Sequence, residues 1–318
     1  MYDVTATGEL LIDFTRNGLS EQNNRIYEAN PGGAPCNVLA MLGKLGYKTA
    51  FIGKVGNDEF GKLLKNTISE QKIDSTGLIL DPDAKTTLAF VDNDETGDRS
   101  FSFYRKPGAD MMLREDEVNY ELIDNCRIFH FGSLSMTDEP VRSATYAMVD
   151  YAKKKNKIIS FDPNLRPPLW ESEELAAKQI WYGIEQCDIL KIADNEIEWL
   201  TGTDDYDKGI EIIRERTHAK LINVTLGPNG SIAYYGGLKV FMESYLNKDT
   251  IETTGAGDTF GACALHAVLK HGLDNLTEED LKEMLQFANA AASLITTKKG
   301  ALRVMPEEKD IKELINTY

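Results

Sequence analysis

The chain has 318 residues, 42% of them hydrophobic, with 35 Lys and Arg against 51 Asp and Glu, a formal net charge of −16. That supplies apolar material for one large α/β domain or two ordinary ones, and the negative excess disfavours a nucleic-acid backbone or an anionic membrane as main partner, leaving small molecules. No stretch approaches the roughly 18 apolar residues of a membrane span, and Met1-Tyr2-Asp3-Val4 lacks the basic start and apolar run of a signal peptide, so a cytoplasmic location is expected.

In chain order, residues 10–30 alternate polar and apolar side chains and read as part of a small β flap. Gly32-Gly33-Ala34-Pro35-Cys36-Asn37 follows and runs into a helical pattern over 37–45. A buried strand is predicted at 50–52 and a helix at 60–71. Residues 85–106 return to alternation, with strands at 87–91 and 99–104 around the turn-like stretch 92–98. Strands at 128–131, 157–161, 189–192 and 221–225 then alternate with helices at 141–155, 175–185 and 208–216. This rhythm predicts a mainly parallel sheet with helices on both faces. There is no repeat, low-complexity tract or linker, so residues 1–318 read as one domain. The two flap regions read as a small antiparallel lid beside the carboxyl ends of the strands, where it closes over a substrate and excludes water; the same patch suits a dimer contact. Cys36, Cys126, Cys187 and Cys263 are far apart, lack Cys-x-x-Cys spacing and are accompanied by only 4 His, so they read as reduced structural thiols.

The most informative segment is Thr253-Thr254-Gly255-Ala256-Gly257-Asp258-Thr259. Apolar and small residues over 260–271 predict a buried helix after it, with Gly272 at its stop. The glycines therefore open a helix, whose free N–H groups and positive dipole end hold anions. Asp258 has two readings at this point. It caps the helix, or it accepts the proton of a hydroxyl that attacks a phosphoryl group held by the N–H donors.

Two stretches carry a family resemblance: Gly32 to Asn37 with Gly46 and Gly56, and Thr253 to Asp258. They resemble the signatures of the PfkB-type, or ribokinase-like, carbohydrate kinases, which implies a three-layer α/β/α sandwich with a β lid. Within that family, Arg99-Ser100-Phe101-Ser102-Phe103-Tyr104-Arg105-Lys106-Pro107-Gly108-Ala109-Asp110, Asp162-Pro163-Asn164-Leu165-Arg166 and Lys298-Lys299-Gly300-Ala301 are similar to fructokinase segments. The resemblance runs from Gly8 to Ala301.

It implies an ATP-dependent sugar kinase acting on the 6-hydroxyl of fructose. Asp258 is then the base, and the N–H groups of Gly255, Ala256 and Gly257 steady the transferring phosphoryl. Asp13 accepts sugar hydroxyls, Gly32 and Gly33 let the backbone approach the sugar, and Asn37 offers it a donor and an acceptor. Phe101 and Phe103 share one lid face with Arg105 and cover the ring. Arg166 belongs at the ligand edge, where it holds phosphate oxygens or a sugar hydroxyl; Asp162 and Asn164 touch substrate or shape the Pro163 turn. Lys191, Thr225, Gly227, Gly230 and Asn289 are expected beside the nucleotide. Magnesium is held mostly through water, with Glu196 nearby. A monovalent-cation (K+) site is implied at Glu252 and Thr254, although Glu252 stands where Asp is usual. Leu39 replaces a small residue of the first signature, and Ala193 replaces the Asn or Ser that precedes the metal-associated Glu. A 2-keto-3-deoxygluconate kinase using Tyr104, Arg105 and Arg166 on a carboxylate is the alternative, with a nucleoside kinase behind it and a non-catalytic sugar or nucleotide sensor as the different class. A dinucleotide oxidoreductase is excluded by the lack of Gly-x-Gly-x-x-Gly after the first strand.

Overall fold

The computed structural model describes residues 1–93 and 99–317. The stretch 92–98 expected at the tip of the flap lies largely outside the described residues, as does the side chain of Phe101. In chain order the strands are β1 (Tyr2–Thr7), β2 (Leu11–Leu19), β3 (Arg25–Gly32), β4 (Thr49–Gly56), β5 (Ile73–Asp81), β6 (Leu88–Asn93), β7 (Arg99–Tyr104), β8 (Cys126–Gly132), β9 (Ile158–Asp162), β10 (Ile189–Ala193), β11 (Leu221–Thr225), β12 (Ser231–Tyr235) and β13 (Leu238–Met242).

Nine of them form one sheet in the order β13-β12-β11-β10-β9-β8-β1-β4-β5. It is parallel from β5 to β11, with the antiparallel hairpin β12–β13 at one edge. Every residue of β4 is buried, as a parallel strand covered on both faces requires. Its side chains divide between two cores: Phe51 and Val55 pack on one face of the sheet, Ala50 and Ile52 on the other. The predicted helices appear within a few residues of expectation, at Ala34–Lys44, Glu59–Glu70, Val141–Lys154, Glu173–Gln186, Tyr206–Arg214 and Ala256–His271.

The strand order locates the ligand edge. From β1 the chain moves outward to β4 and β5, then returns to the other side of β1 and continues through β8, β9, β10 and β11. A crevice outside the carboxyl ends of the strands is where such sheets bind ligands, at the point where the order reverses.

A second sheet, ordered β3-β2-β6-β7, covers that edge. The flap was expected to be antiparallel; β2 and β6 instead pair in parallel. The reason is topological. β2–β3 and β6–β7 are each antiparallel pairs, while β2 follows β1 and β6 follows β5, two strands that run the same way in the large sheet. Both leave its carboxyl edge in the same direction and meet in parallel.

Candidate active site

Helix Ala256–His271 begins where the glycines predicted, with Gly255 at φ 77° before its first turn and Gly272 at φ 82° after its last. Side chains are disfavoured at such angles, so glycine suits both ends. The N–H of Ala256 donates to the Thr253 carbonyl at 3.3 Å, which ties the segment into a tight turn. A Cβ on Gly257 would lie 3.1 Å from Lys191 Nζ; the bare glycine therefore lets an ammonium group approach the helix start.

Asp258 lies in the first turn of this helix. Asn37 Nδ2 donates to its Oδ2 at 2.8 Å. Asn37 was expected to contact the sugar; the structure turns its amide donor to Asp258 and leaves Asn37 Oδ1 buried without a partner among the described residues. Burial pushes the Asp258 carboxyl up to about 6, and the neighbouring Asp162 adds to the rise; Asn37, Lys191 and Arg166 oppose it. A carboxylate so tuned is ionised at neutral pH yet basic enough to take a proton.

These groups line a cleft of about 710 Å³ between the strand ends and the lid. From the lid and the first helix come Asp13, Gly33, Asn37, Phe103 and Arg105; Asn164, Arg166, Lys191 and Glu196 follow the ends of β9 and β10 or lie in β10; Thr225, Gly227, Gly230 and Asn289 line the side of β11 and β12. Thr254, Gly255, Ala256, Gly257 and Asp258 lie on the wall as well. Three expected residues stand behind it. A Cβ on Gly32 would meet Asp13 Oδ2 at 2.7 Å, so Gly32 makes room for that acid. Asp162 is buried and pairs with Lys191 Nζ at 3.2 Å, and its Oδ1 accepts the Asn164 N–H at 3.1 Å. It therefore shapes the Pro163 turn and holds the lysine. Glu252 accepts the Gly300 N–H at 3.4 Å.

Electrostatics group the charges. Burial raises Asp13 to about 7, with Glu252 and Asp258 adding to the rise, while Arg166 draws it down. Arg166 is exposed and acts on both Asp13 and Asp258. Burial tends to lower the Lys191 pKa, yet Asp162, Glu196 and Asp258 outweigh it and the group stays above the usual lysine range, a fixed cation under the helix start. Glu196 is pushed up by burial, and its oxygens accept the N–H groups of Leu165 at 2.7 Å and Ala193 at 2.8 Å.

Two expected ligands are engaged elsewhere. Arg105 Nε donates to Asp110 Oδ2 at 2.7 Å, Nη1 to Thr137 Oγ1 at 3.1 Å and Nη2 to the Leu134 carbonyl at 2.8 Å. Its fork is held by protein because the turn after β7 folds Asp110 back onto it. Asn289 accepts from Ser231 Oγ at 2.9 Å and donates to the carbonyls of Met242 at 3.2 Å and Glu243 at 3.0 Å. Its amide ties a helix to the edge hairpin, so any nucleotide contact falls to the rest of the residue.

Glu9 was missed. It is 4% exposed, lines the cleft, accepts the Ala34 N–H at 2.9 Å and is raised by burial to about 7. An acid two residues after the first strand was the signal available.

The pfkB family carbohydrate kinase profile matches residues 1–308. The chain belongs to this family. This pfkB-family carbohydrate kinase is 41% identical over 307 residues to probable fructokinase-2 of Arabidopsis thaliana, covering 96% of this chain and 93% of that protein. Among solved structures it resembles fructokinase with bound ATP from Xylella fastidiosa, at TM-score 0.90 and 30% identity over 100% of this chain and 99% of that one. It also resembles fructokinase from Vibrio cholerae O395 in a form with fructose, ADP and calcium ion bound, at TM-score 0.89 and 30% identity over 99% of each chain.

Proposed function

We propose that this carbohydrate kinase is an ATP-dependent fructokinase, which moves the γ-phosphoryl of ATP to the 6-hydroxyl of fructose by direct in-line attack. The observation that carries the reading is Asp258: a carboxyl raised to about 6, held by Asn37 at 2.8 Å, in the first turn of a helix that opens on Gly255. The carboxylate takes the hydroxyl proton as the oxygen attacks. The helix start, Lys191 and Arg166 stabilise the charge that spreads over the transferring group.

The sugar sits between Asp13, Gly33, Phe103 and Arg166, where carboxylate oxygens accept its hydroxyls and the ring edge meets an aromatic. The nucleotide lies along Thr225–Gly230; a Cβ on Gly227 would have no heavy atom within 4 Å, so that loop offers open backbone. Among the described residues no cluster of three or more His, Cys, Asp or Glu could hold a metal. A magnesium ion would keep most of its waters and bind substrate phosphates. Glu196 is the carboxylate that would stand near the ion, which would neutralise β- and γ-phosphate charge. Glu252, with the main chain at Thr254 and Gly300, is our candidate for a K+ site. We take lid and sandwich as one catalytic unit in the cytoplasm, and the exposed lid side chains Leu19, Ile26 and Tyr104 as the place where a second copy would seat. The sugar-acid alternative is disfavoured because Arg105 is already neutralised by Asp110.

Asp258→Asn tests the assignment. Loss of a general base lowers kcat by about 10²- to 10⁴-fold, and ADP affinity by calorimetry is expected to stay within about twofold, since this change leaves the backbone donors in place. A variant with near wild-type turnover refutes the base. Greater kcat/KM for 2-keto-3-deoxygluconate than for fructose refutes the substrate.

A further inference from the structure

The geometry points to Arg105 as a positioning residue: it locks the root of the lid to the floor of the cleft and acts on the reaction through the lid, without binding the sugar. This rests on the reading of the cleft as a sugar site, where the family resemblance makes Arg105 a ligand.

The lid hairpin β6–β7 has two ends, and both converge on one carboxylate. Thr87, just before β6, donates its hydroxyl to Asp110 Oδ1. Arg105, just after β7, donates Nε to Asp110 Oδ2 at 2.7 Å, and its Nη2 lies 2.7 Å from the same carboxylate. Asp110 is 1% exposed at its side chain and Arg105 3%, so water does not screen this pair. The chain makes space for it at Gly108, where a Cβ would lie 1.8 Å from Thr87 Oγ1 and 2.7 Å from Asp110 Oδ1. The remaining donors of Arg105 reach the other way, to the Leu134 carbonyl at 2.8 Å and Thr137 Oγ1 at 3.1 Å. Leu134 and Thr137 belong to the segment that follows β8, and Leu134 lines the cleft.

The guanidinium thus spans lid root and cleft floor. Four contacts engage a group with five N–H donors, and Asp110 balances its charge. A sugar ligand needs donors aimed at the substrate, and these are aimed at protein. Asp58 holds the adjoining root residue independently: its carboxylate accepts the Thr86 N–H at 2.9 Å and the Thr86 hydroxyl at 2.7 Å. With the root held at both places, Phe103 on β7 keeps its height above the cleft floor.

A double-mutant cycle separates positioning from binding. KM and kcat for fructose, and amide hydrogen exchange over residues 88–91 and 102–104, are measured for wild type, Arg105→Lys, Asp110→Asn and the double variant. A clamp makes the singles alike: KM for fructose rises about tenfold in each, kcat changes less, exchange at both strands quickens, and the double variant is no worse than either single, as expected for two partners of one contact. Thr137→Val removes the bond from Arg105 Nη1 and the one that Thr137 Oγ1 donates to the Leu134 carbonyl and leaves the ion pair, so it should give a smaller shift of the same kind and serves if the charge variants do not fold. The proposal is overturned if Arg105→Lys alone raises KM while Asp110→Asn and Thr137→Val keep wild-type KM and exchange, or if the single effects multiply. Failure of the wild type to phosphorylate fructose refutes the functional reading instead, and the exchange rates then decide the clamp without any sugar.

Discussion

Replacing Asn37 with Leu isolates what the Asn37–Asp258 contact does for the base. Asn37 Nδ2 donates to Asp258 Oδ2 at 2.8 Å, and this bond holds the carboxyl below where burial would otherwise put it. A hydrogen bond to a charged group contributes about 1.5–3 kcal/mol, and about 1.4 kcal/mol corresponds to one pKa unit. Loss of the donor should therefore move Asp258 from about 6 to roughly 7–8. A base with a pKa of about 6 is about 90% ionised at pH 7; after the shift the fraction falls to about 10–50%. The acid limb of kcat/KM for fructose, followed by ADP release from pH 5 to 9, should move up by one to two units, with most of the loss recovered above about pH 8.5. Relative to wild type, stability should fall by about 1.5–3 kcal/mol between pH 5 and pH 9, because only the ionised Asp258 carboxyl depends on the lost donor, and loss of Asn37 Oδ1, buried without a partner among the described residues, offsets part of that at every pH. An unmoved limb over a uniformly lower plateau refutes the argument and makes Asn37 a substrate ligand alone.

Two further outcomes follow from the site. Asp13 is raised by burial to about 7, so the folded state binds its proton more tightly than the unfolded state does; that contribution is complete below the unfolded value and is lost as pH rises through about 7. Asp13→Asn should then stabilise the fold increasingly from pH 5 to pH 8 in thermal melts while raising KM for fructose, and a stabilisation independent of pH contradicts the shift. Glu196→Gln keeps one acceptor where two N–H groups, of Leu165 and Ala193, need two; it should raise half-saturating magnesium about tenfold, in the range seen when groups that orient a metal site are lost, and a magnesium titration matching wild type removes Glu196 from the metal's surroundings.

The α/β alternation and the parallel sheet could be read from local pattern because a strand covered on both faces carries an apolar run, as β4 does at Ala50-Phe51-Ile52, and period and turn chemistry are local properties. Gly255 and Gly272 announced both ends of helix Ala256–His271 for the same reason: the left-handed angles there favour glycine whatever surrounds it. Glu9 carried a weaker signal, since an acid after a strand is ordinary until the cleft is seen around it.

What a side chain binds is different in kind. Arg105 and Asn289 have the residue types of ligands, and the fold directs them to Asp110 and to the Met242 and Glu243 carbonyls. Asn37 and Asp258 are 221 positions apart, and no spacing rule links them. The parallel pairing of β2 with β6 likewise follows from where two distant strands leave the large sheet. Composition, periodicity and glycine placement were written in the chain because each acts over a few residues. The partner of each polar group was settled in three dimensions, where burial, distance and competing acceptors are determined.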